Sequence, residues 1–186
     1  VQTIPQRGFF GHPSGLGVLF FVEFWERFSY YGMRAMLIFY MYDQIKNGGL
    51  GIDQTTAMSI MSVYGALIYM SSIPGAWVAD RLFGTRGATL IGAVLIIIGH
   101  VCLSLPFAMF GLFASMFFII IGSGLMKPNI SNIVGRLYPE NDTRMDAGFV
   151  IFYMSVNLGA LISPIILQHF LDVKNYHGGF LIAAIG

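Results

Sequence analysis

Apolar residues fall along this chain in long blocks separated by short polar breaks. Five blocks run to completion, at about Leu16–Tyr42, Thr55–Val78, Ala88–Phe107, Gly111–Leu137 and Asp146–Phe170, and a sixth opens near Gly178. Each complete block reaches the ~20 residues a helix needs to cross ~30 Å of hydrocarbon. The strands of a membrane barrel would be ~10 residues of alternating polarity, and no such alternation is present. The pattern predicts an all-α membrane protein. Pro128 and Pro164 lie inside blocks; each lacks a donor and crowds the preceding turn, so both helices are expected to bend there. The sequence opens on Val1 rather than Met and ends on an apolar run, GGFLIAAIG. The expectation is a piece of a longer chain, cut inside its sixth span.

Composition agrees with lipid as the solvent. Hydrophobic residues make up 56% of the 186 positions and charged residues 10%, against ~25% charged in soluble domains. Nineteen charges cannot cover a soluble surface of this size, which excludes a soluble enzyme and a disordered chain. The formal net charge of +1 offers no basic footprint for nucleic acid. Cys102 is the lone cysteine, so neither a disulfide framework nor a thiol metal cluster is expected. Loop charges set the orientation. Arg7, Arg81, Arg86, Arg136 and Arg144 fall on one side of the predicted spans, Lys46 and Lys174 on the other. That asymmetry places the N-terminus in the cytoplasm.

The other basic residues, Arg27, Arg34 and Lys127, lie within spans, as do Glu23 and Glu26. An ionised group in hydrocarbon costs several kcal/mol, so such residues usually face a bundle interior or an aqueous cavity. On the first span Glu23, Glu26, Arg27, Tyr30, Tyr31 and Arg34 follow helical steps and fit one arc of roughly 140°. Phe24, Trp25, Phe28, Gly32 and Met33 take the reverse face. A Glu23–Arg27 pair at i,i+4 could be purely structural, but that leaves Arg34 and Lys127 without a reason. Two acids and three bases sum to +1, a charge that an anionic group such as a carboxylate would neutralise. Protonating one glutamate would free a base for that anion, so proton and carboxylate binding are linked through shared partners.

The run Glu23-Phe24-Trp25-Glu26-Arg27-Phe28-Ser29-Tyr30-Tyr31-Gly32 resembles the ExxERFxYYG motif of the proton-dependent oligopeptide transporters, a branch of the major facilitator superfamily. Phe152-Tyr153-Met154-Ser155-Val156-Asn157-Leu158-Gly159 is similar to that family's FYxxINxGS, with Val156 for Ile and Ala160 for Ser. Gly75 with Asp80-Arg81-Leu82-Phe83-Gly84-Thr85-Arg86 resembles the cytoplasmic gate motif of the superfamily. Gly122 through Asn129 is similar to the family's fourth-span block.

The resemblance implies the N-terminal six-helix bundle of a carrier whose C-terminal half is its partner across the substrate site. It also implies proton-coupled symport of di- and tripeptides into the cell by alternating access, with protons as the coupling ion and no other cofactor. A proton-coupled carrier for another small anionic or zwitterionic solute, nitrate or an amino acid, is the alternative. Glu23, Glu26, Arg27 and Lys127 resemble the proton-coupling cluster. Arg34 and Lys127 resemble the receivers of the peptide carboxylate, Tyr30, Tyr31 and Tyr69 the cavity tyrosines, and Asn157 a contact near the peptide's amino end. Gly75, Asp80, Arg81, Gly84 and Arg86 would form the gate. Animal members carry a His on the second span where this sequence has Ser62, which points to a microbial cell membrane and to coupling through carboxylates.

Simpler readings stand beside these. Tyr69 and Asn157 taken alone fit interhelical packing, and Asp80, Arg81 and Arg86 fit topology charges. His12, His100, His169 and His177 fit packing or rim positions. An intramembrane serine protease built on Ser123 would need a facing His base, and His100 is the single His well inside a span. A channel would more often carry charge rings of one sign.

Overall fold

The computed structural model describes residues 7–185. A short hairpin, β1 (Arg7–Phe9) and β2 (His12–Pro13), leads into α1 (Ser14–Tyr42). There follow a 3-10 turn at Ile45–Asn47, α2 (Gln54–Met70), α3 (Ser72–Val78), a π turn at Ala79–Phe83 and α4 (Gly84–Ser104). Helices α5 (Ala108–Gly135), α6 (Met145–Asp172) and α7 (Tyr176–Ile185) complete the order. Among the described residues the regular structure is all helical apart from the hairpin, whose turn residues Phe10 and Gly11 both take positive φ, 50° and 82°. Among the described residues three stretches are long and apolar enough to cross a membrane: Gln54–Ser104, Ala108–Gly135 and Met145–Asp172.

Local chemistry sets the boundaries. The Asp53 carboxylate accepts from the Thr55 and Thr56 amides at 3.0 and 3.2 Å, an N-cap that starts α2. Helix α4 stops at Ser104 because Leu105 precedes Pro106 and is pushed to an extended ψ of 148°. Two expected limits move. The second block is two helices, broken at Ser71 and followed by the π turn, and α4 begins at Gly84 rather than Ala88. Both prolines lie within unbroken helix, Pro128 in α5 and Pro164 in α6.

Contacts give the directions of the helices. The Ser71 hydroxyl donates to the Ile120 carbonyl at 2.9 Å and Gly75 lies against Gly124 and Leu125, so α2 and α3 run alongside α5 in the same sense. Gly92 meets Gly122, and Gly99 meets Ser115 and Ile119, so α4 runs opposite to α5. The reversal between α3 and α4 falls at Gly84, whose φ of 68° with ψ of 163° suits a residue without Cβ. A Cβ on Gly92 would stand 2.6 Å from the Gly122 carbonyl; glycine lets these backbones touch, as membrane helices prefer. Gly159 seats α6 on the Phe24–Phe28 stretch of α1, and Gly32 meets Ser163 and Leu167 further along. The two helices are parallel. The largest core cluster includes Tyr30, Met33, Met36, Tyr40, Tyr64, Ile68, Tyr176 and Phe180.

A polar latch ties the end of α1 to the start of α7. The Asp43 carboxylate accepts from the Gln44 amide (2.7 Å), Asn47 Nδ2 (2.9 Å) and the Tyr176 hydroxyl (2.7 Å), with Lys174 Nζ at 3.6 Å. The hydrogen bonds from Asn47 and Tyr176 hold its carboxyl at about 2, below the ordinary value near 4. A carboxyl so depressed adds stability above pH 4 that is lost as pH falls towards 2. Asp43→Asn is expected to remove part of the fall in melting temperature between pH 4 and pH 2. Melting curves across that range, compared with the unsubstituted protein, check it; identical slopes would assign the acid sensitivity elsewhere.

Candidate functional site

Helical spacing brings the α1 stripe to one face and burial sorts it. Glu23, Glu26 and Arg27 are buried, and the guanidinium sits between the two acids. Arg27 Nε is 2.9 Å from Glu23 Oε1, and Arg27 Nη2 is 2.5 Å from Glu26 Oε2. One planar fork thus meets two carboxylates on its own helix, an arrangement Arg satisfies and Lys cannot. Tyr30, one turn further on, is the centre of a second group. Arg27 lies 5.6 Å from its ring centroid and Lys127, from α5, lies 4.9 Å away. Arg34 Nη1 donates to its hydroxyl at 3.4 Å, and Tyr31 packs edge-on against it at 5.3 Å.

Lys127 also stands 5.4 Å from the ring of Tyr69, which is 70% exposed. The expected ion pair between Lys127 and the α1 acids is not formed: among the described residues no carboxylate oxygen lies within 4.0 Å of it. The reason is geometric. Arg27 reaches both acids from their own helix, while Lys127 enters from α5 and meets the Tyr30 face first. Arg34 is exposed and opens on a cleft of ≈ 640 Å³ lined also by Tyr31, Met58, Ser62 and Pro164. The Ser62 hydroxyl donates to the Met58 carbonyl at 2.9 Å on its own helix.

Other expected residues stand apart from this group. Asn157 is exposed, and its amide donates to the Tyr153 carbonyl at 3.2 Å. In the gate motif Gly75 packs on Gly124 and Gly84 makes the reversal. Asp80, Arg81 and Arg86 are exposed and form no ion pair among the described residues. The Arg81 guanidinium lies 5.8 Å from the Trp77 ring instead. The expected lock between two helices is therefore not closed by contacts within these residues, and these charges remain available to water or to another segment.

Two buried residues carry more than the sequence indicated. Tyr64 is only 2% exposed, and its hydroxyl has no partner among the described residues. It packs in the Tyr30 cluster, five residues before Tyr69. His100 is fully enclosed with neither ring nitrogen bonded among the described residues. It lines a cavity of ≈ 480 Å³ shared with Glu26 and Ser29. His12 Nδ1 lies 2.9 Å from the Tyr138 hydroxyl and His177 Nδ1 3.3 Å from the Leu103 carbonyl, both packing positions.

The comparisons extend this geometry to relatives. A di-/tripeptide transporter of Lactococcus lactis subsp. cremoris is 52% identical over 183 residues, 97% of this chain and 37% of that protein. Crystal structures of a POT family transporter in complex with 5-aminolevulinic acid and in complex with a thioalcohol conjugated peptide match with TM-scores of 0.97. Each is 88% identical and covers 99% of this chain and 38% of the matched chain. This chain thus spans less than two-fifths of the length of the proteins it matches. The profile of the POT family itself matches residues 87–186. With that profile taking in more than half of the sequence, this chain belongs to the POT family.

Proposed function

We propose that this chain is the N-terminal six-helix bundle of a proton-coupled symporter for di- and tripeptides, a carrier rather than an enzyme. In this reading it sits in a microbial cell membrane with its N-terminus in the cytoplasm, and a C-terminal half completes the substrate site. The observation that carries it is the division of charge at the site. Arg27 holds both Glu23 and Glu26, while Lys127 and Arg34 meet tyrosines and no carboxylate among the described residues. Two cations are thus free to take a peptide carboxylate, and two acids stand beside them to take a proton. Proton uptake by either acid loosens its hold on Arg27 and changes the field at Lys127, so the two events are linked. Tyr30, Tyr31 and Tyr69 would then contact the bound peptide, and Asn157 its amino end. Gly75, Asp80, Arg81, Gly84 and Arg86 would form a gate closed by the other half. The similar di-/tripeptide transporter supports the peptide reading.

A second reading has its own support, since the 88% identical structure holds 5-aminolevulinic acid, a small zwitterion with one carboxylate. The protein reconstituted in liposomes and given an inward pH gradient separates the two. Accumulation of labelled di- and tripeptides, collapsed by a protonophore, supports peptide symport. Accumulation of single amino acids or nitrate with no peptide uptake would replace it.

Pro128 follows Lys127 directly within α5 and leaves one carbonyl of the preceding turn without its helical donor. Pro128→Ala is expected to stiffen that joint, slowing uptake about threefold while leaving peptide affinity unchanged. Initial rates set against competition binding measure the two separately; an unchanged rate would remove the joint from the mechanism.

A further inference from the structure

One buried titratable side chain, His100, has no part in the exchange between Arg27 and its two acids. It is 1% exposed, and neither ring nitrogen has a hydrogen-bond partner among the described residues. With Ala93, Ile96 and Ile97 it forms a helical stripe on α4 that walls a cavity of ≈ 480 Å³. From α1 the same cavity is lined by Glu26 and Ser29. Glu26 is also buried, and while Oε2 faces Arg27, Oε1 has no hydrogen-bond partner among the described residues. An imidazole and a carboxylate oxygen, both buried and both unpaired, thus border one space. Buried polar atoms are nearly always bonded, and a cavity of this size with polar groups in its wall has room for bridging water.

The surroundings favour this pairing. Met126 of α5 and Ala183 of α7 add only apolar wall, and Glu26 is the one acid that lines the cavity. An imidazolium enclosed there is unfavourable unless a carboxylate pairs with it. Lys127, next to Met126, is turned to the rings of Tyr30 and Tyr69, and Glu23 is held by Arg27. His177 of α7 meets the Leu103 carbonyl, Tyr64 of α2 packs in the Tyr30 cluster, and α6 meets this stretch of α1 through Gly159. No residue lines both this cavity and the cleft at Tyr31 and Arg34, so the two spaces lie on different sides of α1.

Building on proton-coupled symport as the function, we propose that His100 and Glu26 hold one proton between them through water in this cavity, and that His100 passes it to Glu26. In the first state the imidazolium N–H faces the Glu26 carboxylate. In the second, that proton has left the ring nitrogen, crossed by water and bonded to a carboxylate oxygen, so a neutral imidazole faces a neutral carboxyl. The transfer leaves the net charge of the cavity unchanged and loosens the hold of Glu26 on Arg27. Proton and peptide then reach the charged stripe from different sides of α1.

Nitrogen-15 NMR of the full-length transporter, labelled in histidine and reconstituted in liposomes, reads the ring directly between about pH 8 and about pH 5. The His100→Gln protein identifies the signal by its loss. The His100 ring is expected to take up a proton across this range, and to stay neutral throughout in the Glu26→Gln protein. A ring that is neutral at every pH in the unsubstituted protein, or that titrates alike in both, overturns the proposal. Gradient-driven peptide uptake gives a second measurement. In the His100→Gln protein, at equal melting temperature, half-maximal uptake is expected to need an about tenfold higher proton concentration, with peptide affinity unchanged. An unchanged pH profile overturns the relay. If the unsubstituted protein shows no gradient-driven uptake, symport itself fails, and the NMR titration still decides whether the two residues share a proton.

Discussion

Arg27→Gln is expected to abolish uptake driven by a pH gradient, lowering it by two to three orders of magnitude. The argument rests on one guanidinium serving two buried acids, Glu23 at 2.9 Å and Glu26 at 2.5 Å. Removing one member of a buried ionic group costs about 3–5 kcal/mol, because the charge left behind has neither water nor partner. Here two negative charges are left on one helix face, and at least one must be neutralised by a proton. A site already holding that proton has one acid fewer to load when the gradient is applied. The loss should therefore fall on gradient-driven accumulation more than on exchange of substrate across a membrane without a gradient. Arg27→Lys sharpens the test. Its charge is unchanged but its single ammonium cannot span both carboxylates in the plane of a fork, and roughly tenfold slower driven uptake is expected. If driven uptake by Arg27→Gln fell no further than its gradient-free exchange, the coupling role would belong elsewhere.

The sequence made some of this legible and left other parts hidden, for reasons that can be stated residue by residue. The all-helical class and the direction of the α1 stripe were readable because Glu23, Arg27 and Arg34 are conspicuous in an apolar block and helical spacing fixes their shared face. The α4 start and the break at Ser71 were not, since Gly84 and two serines at the end of an apolar run carry no hydropathy signal. The hairpin at Arg7–Pro13 depends on two residues of positive φ, a local feature that block reading passes over. Ion pairing within α1 followed from its own spacing, whereas the place of Lys127 depended on how α5 crosses α1. The seating of α5 in the bundle is set by glycine contacts such as Gly75 of α3 on Gly124, which no spacing rule reports. The partnerless hydroxyl of Tyr64 was hidden for the same reason: in sequence it is one aromatic among nine tyrosines.

Tyr30→Leu is expected to cost far more than Tyr30→Phe, and the difference isolates what the ring does. Tyr30 is 4% exposed and has three cations around it: Lys127 at 4.9 Å and Arg27 at 5.6 Å from the ring centroid, and Arg34 bonded to the hydroxyl at 3.4 Å. A cation over an aromatic face gains about 0.5–1 kcal/mol at exposed sites and about 2 kcal/mol when desolvated. Leucine removes both face contacts at a buried position, so a loss of about 2–3 kcal/mol is expected, which is roughly 30- to 150-fold in uptake efficiency. Phenylalanine keeps both faces and removes only a long hydrogen bond, about 0.5–1 kcal/mol, or two- to fivefold in the same quantity. The phenylalanine effect should appear as weaker substrate affinity, because Arg34 loses the acceptor that aims it into the cleft. The leucine effect should appear in turnover as well, because Lys127 loses the surface that holds it off the α1 acids and can fall into their field. A cycle with Lys127→Gln then decides the point. If the ring acts by holding Lys127, adding Tyr30→Leu to Lys127→Gln costs much less than it does alone. Full additivity of the two substitutions, in proteins of equal melting temperature, would mean that the ring and the ammonium act independently.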